Sequence, residues 1–204
     1  MLLEASDAAQ AKLLLGRKKV TLWHSYIRDR AKSEPRDSLI LVPCAKAKPY
    51  TRPTKSFFYN WLWKFLEKEN LRDQVFVCTV SEPFALFPEN DYDKMPNYEL
   101  SPLVLKREPE LLEKYCSTLA KPIAGFLMRN HDKHRRVIAY VRPDSTHAVF
   151  LQRAMSLCGS PLVRFAVTVD DLRQIRKAHP RMWHLNWMIY LQNHLKRLLV
   201  DDEN

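Results

Sequence analysis

The feature that most constrains the fold is a regular alternation of strand-like and helix-like segments. Four short runs are dominated by apolar residues, at positions 38–43, 74–80, 136–141 and 161–168. Continuous apolar runs of this length are typical of strands whose sheet is covered on both faces. Segments with apolar residues at helical spacing separate these runs. The order predicts a three-layer α/β/α sandwich on a four-stranded parallel sheet.

The remaining segments divide the chain into two parts. Helices are predicted over 2–15, 56–69 and 106–131, from Asp144 or Ser145 to about residue 157, and over 183–198. Residues 17–36 form a basic connector that contains Trp23, His24 and Tyr26. This connector is either a solvated face or an arm that contacts phosphates. We predict an N-terminal helix with a basic connector at 1–36 and an α/β catalytic domain at 37–204.

The charge balance favours nucleic acid as a partner. The chain has 33 Lys and Arg against 23 Asp and Glu, a formal net charge of +10. Basic surfaces collect phosphate contacts. No apolar run approaches the roughly 18 residues that span a membrane, so we expect no membrane partner.

Cysteine and glycine usage excludes several kinds of site. The four cysteines form no C-x-x-C pair, and no secretory signal segment is visible, so we expect a reducing, cytoplasmic setting, including that of a viral protein in its host cell. Only three glycines occur, which excludes a Walker A loop and a G-x-G-x-x-G fingerprint. We therefore predict no cofactor.

The first strand leads into the most reactive set of side chains. Ligands of parallel α/β sheets bind beyond the carboxyl ends of the strands, and Cys44 and Lys48 follow the first strand directly. Positive charge from Lys46 and Lys48 favours a reactive thiolate, although free cysteines are also common as buried apolar groups. Lys48 can stabilise negative charge or transfer a proton, or it can be a solvated lysine.

Two further strand exits supply acids, phenols and a histidine. Residues 81–102 form a long segment rich in Pro, Asn, Asp and Tyr, and such loops are frequently functional. Among its carboxylates, Glu82, Glu89, Asp91 and Asp93, we favour Asp93 as a catalytic group and Glu89 as a substrate contact. Arg142, Asp144 and His147 follow the third strand, where Asp144 is a substrate contact or a helix cap and His147 is a proton shuttle or a surface residue.

Basic residues near the strand exits and beside a histidine pair are candidate phosphate contacts. His131 and His134 are three residues apart but lack cysteine or carboxylate partners in a known pattern, so we predict no metal site. The residues expected to contact nucleic acid are Lys46, Arg52, Lys55, Arg135 and Arg136.

Two motifs resemble a known family. Pro43-Cys44-x-x-x-Lys48-Pro49-Tyr50 resembles the signature of the core domain of archaeosine synthase, a paralogue of tRNA-guanine transglycosylase. The stretch from Ser81-x-Pro83 to Tyr92-Asp93 is similar to a loop of that domain. Beyond Tyr50 the family pattern continues with a serine and a histidine, whereas this chain has Pro53 and Ser56 near those places.

The resemblance implies a fold, an activity and a set of site residues. The family fold is similar to uracil-DNA glycosylase, and archaeosine synthase adds the amine of lysine to a deazaguanine nitrile in tRNA. By this resemblance Cys44, Lys48 and Tyr50 line a base pocket, and Ser81 and Tyr92 contact the substrate. A small-molecule amine donor is then an expected partner.

Three functions remain open at this point. The first is a transferase that modifies a base in tRNA or DNA, with the base turned out of the stack and held against Tyr50 or Tyr92. The second is a glycosylase that excises a base, and the third is a nucleic-acid-binding module without catalysis.

Overall fold

The computed structural model describes residues 3–5, 7–48, 50–51, 54–96, 98–100, 102–159, 162–178, 188–190, 192–193 and 196–197. Its strands are β1 (Leu3–Ala5), β2 (Ser38–Pro43), β3 (Val75–Ser81), β4 (Ala85–Pro88), β5 (Tyr98–Leu100), β6 (Arg136–Ala139) and β7 (Arg164–Phe165). Its α-helices are α1 (Ala8–Leu15), α2 (Lys18–Asp29), α3 (Phe57–Lys68), α4 (Pro102–Arg107), α5 (Pro109–Asn130), α6 (Thr146–Cys158) and α7 (Val169–Ala178). Short 3-10 helices span Glu89–Lys94 and His131–Lys133.

The main sheet is mixed and mostly parallel. Within the described residues it has five strands in the order β4-β3-β2-β6-β7, and β2 is parallel to both β3 and β6. The prediction of an α/β fold with a mostly parallel sheet is therefore confirmed. The predicted count of four strands is wrong, because β4 turns back and pairs antiparallel with β3, from Ser81 opposite Ala85 to Cys78 opposite Pro88.

The strand β4 lies inside the segment predicted to be a long loop. Its four residues, Ala85 to Pro88, are buried, but the run is short, ends in a proline and comes two residues after Pro83, so it does not stand out as a strand from the sequence. Ala85 has a positive φ of 69° and follows the turn that reverses the chain. Because the turn is tight, β4 begins to pair with β3 at once, with Ala85 opposite Ser81.

The region predicted as a basic connector contains a packed helix. In α2, Val20 and Ile27 are buried, and the Trp23 indole donates to the Leu86 carbonyl at 2.9 Å. The Arg129 guanidinium of α5 donates to the Ile27 carbonyl at 2.7 Å. The boundary predicted at residue 36 therefore does not coincide with a gap in the packing.

The first predicted helix is shorter than expected. Leu3–Ala5 is not helical but pairs in parallel with β5, from Leu3 opposite Tyr98 to Ala5 opposite Leu100. The helix α1 begins after Asp7, whose carboxylate accepts from the Gln10 amide at 2.9 Å. Pairing with a strand more than 90 residues away is a tertiary choice that local spacing cannot show.

The central helices follow the predictions more closely. Ser56 caps α3 and Ser145 caps α6, each accepting from an amide three residues ahead. The predicted 106–131 helix is divided between α4 and α5 at Glu108, because Pro109 favours the first turn of a new helix. The last strand is reduced to β7, and the last predicted helix lies largely outside the described residues, with helical conformation at 188–190, 192–193 and 196–197.

In the described part of the chain, no helix is long and apolar enough to cross a membrane.

Candidate functional site

The strands β2 and β3 and the segment after β6 bring three side chains to one edge of the sheet. Cys44 directly follows β2, and its amide donates to the Val80 carbonyl at 3.0 Å, which continues the pairing with β3. Glu82 directly follows β3. His147 is in the first turn of α6, which begins seven residues after β6 ends.

The three side chains lie within about hydrogen-bonding distance of one another. Cys44 Sγ lies 3.4 Å from His147 Nε2 and 3.5 Å from Glu82 Oε2. His147 Nε2 lies 3.1 Å from the same Glu82 Oε2. Within the described residues, this is a group of Cys, Glu and His whose ligand atoms could hold one metal ion. We refer to Cys44, Glu82 and His147 as the carboxyl-edge cluster.

The N-terminus of α6 positions the side chains of His147 and Glu82. Ser145 caps the helix and so sets the direction of its first turn. The Thr146 hydroxyl then donates to Glu82 Oε1 at 2.6 Å. One carboxylate oxygen is thereby occupied, and Oε2 is left toward Cys44 and His147.

Burial and charge make Glu82 and His147 an ion pair. Burial alone would raise the pKa of Glu82, but the His147 ring and the Thr146 hydroxyl lower it to about 2. Burial alone would lower the pKa of His147, but the Glu82 carboxylate and Cys44 raise it well above its usual range. The side chains of Glu82 and His147 are only 5% and 10% exposed, so water screens this pair weakly.

The contact pattern differs from that of a catalytic relay. In relays, the carboxylate orients one imidazole nitrogen while the nucleophile contacts the other. Here the thiol and the carboxylate both approach Nε2 of His147. Three donor atoms that converge on one point are the arrangement expected for a shared ion or a single reacting atom.

Lys48 is held next to Cys44 through the intervening backbone. Its ammonium group donates to the carbonyls of Ala45 at 3.1 Å and Tyr98 at 3.3 Å and lies 3.9 Å from the centre of the Tyr98 ring. The Tyr50 hydroxyl donates to the Ala45 carbonyl at 2.7 Å and accepts from the Ala45 amide at 2.8 Å. The segment after β2 is thus folded back on itself and carries a positive charge beside the carboxyl-edge cluster.

The predicted base-stacking tyrosines are part of the core. Tyr50 is fully buried and stacks on Tyr59 with ring centres 3.9 Å apart. Tyr92 is 1% exposed, and its hydroxyl contacts that of Thr79 at 2.8 Å. The structure gives each ring a packing role, because neither presents an accessible face to a base. Ser81 is also buried, and its hydroxyl contacts that of Tyr98.

The two carboxylates that the sequence favours, Asp93 and Glu89, lie away from the carboxyl-edge cluster. Asp93 is exposed on the 3-10 helix that follows β4. Glu89 pairs with Arg36 at 2.9 Å and Arg72 at 3.2 Å and lines a cavity of about 350 Å³. Burial raises the pKa of Glu89, although both arginines oppose the shift. Since β4 runs antiparallel to β3, Glu89 lies toward the amino ends of the parallel strands.

Cations surround Asp144 next to His147. The guanidinium groups of Arg142 and Arg176 pair with the Asp144 carboxylate at 3.0 Å and 2.7 Å. The Lys106 ammonium donates to the Asp144 carbonyl at 3.4 Å. The pKa of Asp144 is lowered because these cations outweigh its partial burial. Because three positive groups surround one carboxylate, a net positive charge remains here beside the carboxyl-edge cluster.

The predicted nucleic-acid contacts divide between two edges of the sheet. Lys46 and Lys55 are exposed on the segment that connects β2 to α3, at the carboxyl edge. Arg135 and Arg136 precede or begin β6, at the amino edge. Arg136 is level with Ser38, six residues before Cys44, a separation of about 20 Å along the strand. Arg52 lies outside the described residues.

The histidine pair at 131 and 134 does not form a joint site in the described structure. His134 is buried, with one ring nitrogen 3.0 Å from the Arg36 carbonyl and the other 2.8 Å from the Ser33 hydroxyl. His131 is exposed. Both ring nitrogens of His134 are therefore occupied by polar contacts inside the protein.

Glu82 is the member of the carboxyl-edge cluster that sequence reasoning underrated. From the sequence, Glu82 is only one acid among several in a loop. The available signal is its position two residues after the apolar run at 74–80, since Cys44 also comes directly after an apolar run, at 38–43.

Comparisons with known proteins do not identify a family. No protein-family model matches the chain, and no curated protein matches it. A similar solved structure is the crystal structure of AF0587, a protein of unknown function, with 14% identity and a TM-score of 0.49. The alignment covers 87% of this chain and 49% of AF0587, so the chain spans about half the length of that protein.

Proposed function

We propose that the chain is an enzyme that modifies a nucleobase within a polynucleotide. The reaction is a group transfer to a deazaguanine or hypermodified base in DNA or tRNA. The observation that carries the proposal is the carboxyl-edge cluster, in which Cys44, Glu82 and His147 meet within hydrogen-bonding distance. Sites of this kind, with a perturbed acid and a perturbed base side by side, are typical of catalytic centres.

The location of the cluster supports a substrate site. It lies beyond the carboxyl ends of adjacent parallel strands, where open α/β sheets bind their ligands. The first motif, from Pro43 to Tyr50, folds back there and holds Lys48 beside Cys44. A uracil-DNA-glycosylase-like, three-layer arrangement of the sheet and helices is part of the same proposal.

Charge at the same edge supports a polynucleotide substrate. Lys106, Arg142 and Arg176 gather around Asp144, and Lys46 and Lys55 are exposed nearby on the chain. A base that reacts in the crevice must first leave the stack, while its flanking phosphates stay outside. The basic residues at this edge are suited to hold those phosphates.

An exposed aromatic ring at this edge is a candidate stacking surface. Phe57 is 72% exposed in the first turn of α3. That turn is close to the end of β2, because the Tyr59 hydroxyl donates to the Pro43 carbonyl at 3.1 Å. In the proposed enzyme Phe57, in place of Tyr50 and Tyr92, stacks on a base next to the one that reacts.

In the proposed reaction the carboxyl-edge cluster acts at a polar substituent of the base. Lys48 stabilises negative charge that develops there, because its ammonium lies in a half-buried setting beside the Ala45 backbone. A small-molecule amine is the expected donor of the transferred group.

Mass spectrometry of nucleosides tests this function. The full chain is incubated with amine donors and with DNA or tRNA that carries deazaguanine nitrile, hydroxymethylated pyrimidines or ordinary bases. We expect a mass shift that disappears in Cys44→Ala and Lys48→Ala and persists in Cys158→Ala and Lys121→Ala. The control cysteine lies at the far end of α6, and the control lysine is exposed.

Two outcomes would contradict the proposal. A released free base with an abasic site indicates a glycosylase instead of a transferase. Salt-sensitive binding without any product, unchanged in Cys44→Ala and Lys48→Ala, indicates a binding module.

A further inference from the structure

We propose that Cys44, Glu82 and His147 bind one Zn²⁺ ion through Sγ, Oε2 and Nε2, with a fourth position open to substrate or water. The proposal concerns the same cluster as the proposed function, but it does not depend on the nucleobase substrate. It revises the expectation from the sequence that the chain has no metal site.

The distances fit a tetrahedral zinc site. Zinc bonds of about 2.3 Å to sulfur, 2.05 Å to nitrogen and 2.1 Å to oxygen place sulfur about 3.6 Å from the other two atoms and nitrogen about 3.4 Å from oxygen. In the structure, Sγ lies 3.4 Å from Nε2 and 3.5 Å from Oε2, and Nε2 lies 3.1 Å from Oε2. The three edges of the triangle therefore agree with the expected edges to within about 0.3 Å.

The orientation of the side chains supports a shared ion over a relay. The thiol and the carboxylate both approach the same imidazole nitrogen, and the thiol approaches the same carboxylate oxygen that faces the imidazole. Each side chain therefore contributes one atom to a common centre. Three ligands from separate strand exits form a rigid site, because each follows a paired strand or a capped helix start.

An outer partner orients the carboxylate as it does in known metal sites. Thr146 donates to Glu82 Oε1 at 2.6 Å, so that Oε2 alone faces the centre. Thr146 is 4% exposed, and this bond is screened from water. Thr146 is thus a positioning residue for a ligand that binds through a single oxygen.

The donor set selects the ion. Zinc binding releases the protons of Cys44 and His147, and the resulting thiolate and neutral imidazole carry, together with the Glu82 carboxylate, a net charge of −2, which a divalent cation neutralises. The soft thiolate disfavours Mg²⁺ and Ca²⁺, and a mixed sulfur, nitrogen and oxygen set suits zinc. Three protein ligands with an open position are typical of catalytic zinc, and Cys44 is only partly buried, which leaves one side accessible.

Elemental analysis of the full chain, purified without a tag or a chelator and reconstituted with Zn²⁺, tests the site. We expect about one zinc ion per chain, lost in Cys44→Ser and His147→Asn and retained in Cys158→Ser and His131→Asn. Thr146→Val is expected to weaken zinc affinity by about 10- to 100-fold. Iron or copper in place of zinc would overturn the assignment to Zn²⁺.

Two measurements on the wild-type chain avoid any dependence on the folding of variants. Co²⁺ is expected to give the intense near-ultraviolet absorption of a thiolate ligand, and Zn²⁺ is expected to suppress it. Zn²⁺ is also expected to slow alkylation of Cys44 at least tenfold, with no effect on Cys158. Folded protein that shows neither effect and retains no zinc overturns the proposal. Since no nucleic acid is present, these results are independent of the base-modification experiment.

Discussion

At the scale of single residues, position along a strand decides which side chains meet. Cys44 and Glu82 each follow a strand by one residue, and β2 and β3 are parallel with Pro43 level with Val80. Their side chains are therefore brought to the same edge. Asp93 and Glu89, which lie after the reversal at β4, are carried away from it.

The buried His134 should make the protein less stable in mild acid. Burial lowers its pKa below its usual value, with Lys133 and Arg36 adding to the shift and the Arg36 carbonyl and Asp132 opposing it. The unfolded chain then binds the proton more readily below about pH 6.5, so the free energy of unfolding falls as the pH falls. One such proton changes this free energy by at most about 1.4 kcal/mol per pH unit.

Urea unfolding between about pH 7.5 and pH 5.5 measures the effect. We expect His134→Gln to flatten the pH dependence and His131→Gln, at an exposed position, to leave it unchanged. The slope that remains in His134→Gln has two further contributions. Burial also lowers the pKa of His24, although the Pro83 carbonyl opposes this, and so adds a slope of the same sign. The raised pKa of His147 adds a slope of the opposite sign above about pH 6.5. Parallel pH profiles for the wild type and His134→Gln would show that His134 does not contribute.

At the scale of elements, the close approach of α2 and α5 depends on Gly125. A Cβ atom at this position would lie 2.7 Å from Arg28 Cγ and 3.0 Å from the Arg28 carbonyl oxygen. The side chain of Arg28 can move, but its carbonyl can move only with α2. Glycine here serves packing between helices, even though it lowers helix propensity.

Gly125→Ala should therefore destabilise the protein despite the better helix propensity of alanine. We expect a loss of about 1–3 kcal/mol in the free energy of unfolding, measured by chemical denaturation. Ser117→Ala, at an exposed position of the same helix, should be neutral or slightly stabilising. Adding Arg28→Ala to Gly125→Ala should restore only part of the loss, because the backbone contact remains. A stabilised Gly125→Ala variant would contradict this account of the packing.

At the scale of the whole molecule, the two edges of the sheet differ in whether their cations lie near the carboxyl-edge cluster. The carboxyl edge combines the cluster with the cations around Asp144, whereas Arg135 and Arg136 lie at the amino edge. The net charge of +10 is a property of the whole chain and does not distinguish the two edges. Only the location of each cation relative to the cluster does so.

Arg176→Ala and Arg135→Ala form a matched pair, since each removes one exposed arginine. We expect the affinity for a labelled single-stranded oligonucleotide, measured by fluorescence anisotropy over a range of salt, to fall in Arg176→Ala. The slope of log affinity against log salt should decrease by about one. Arg135→Ala should behave like the wild type. Equal effects of the two substitutions would show that binding is not directed to the carboxyl edge.

The sequence by itself determined the central strands and the capped helices, because these depend on local apolar runs and on serines at fixed offsets. β2 has the predicted bounds, and α3 and α6 begin within one or two residues of their predicted starts. It also indicated Cys44, Lys48 and His147 as candidates, because reactive side chains directly after strands stand out in an apolar context. Their roles remain predictions.

Tertiary structure decided which of these residues come together. It also decided where the short strands form that the local sequence pattern does not reveal. The strand β4 and the pairing of β1 with β5 are short, and they exist only because distant or reversed partners satisfy their backbone groups. The burial of Tyr50 and Tyr92 and the choice of Glu82 over Asp93 follow from the same packing. The meeting of Cys44, Glu82 and His147 joins residues 38 to 103 positions apart, and no local pattern encodes it.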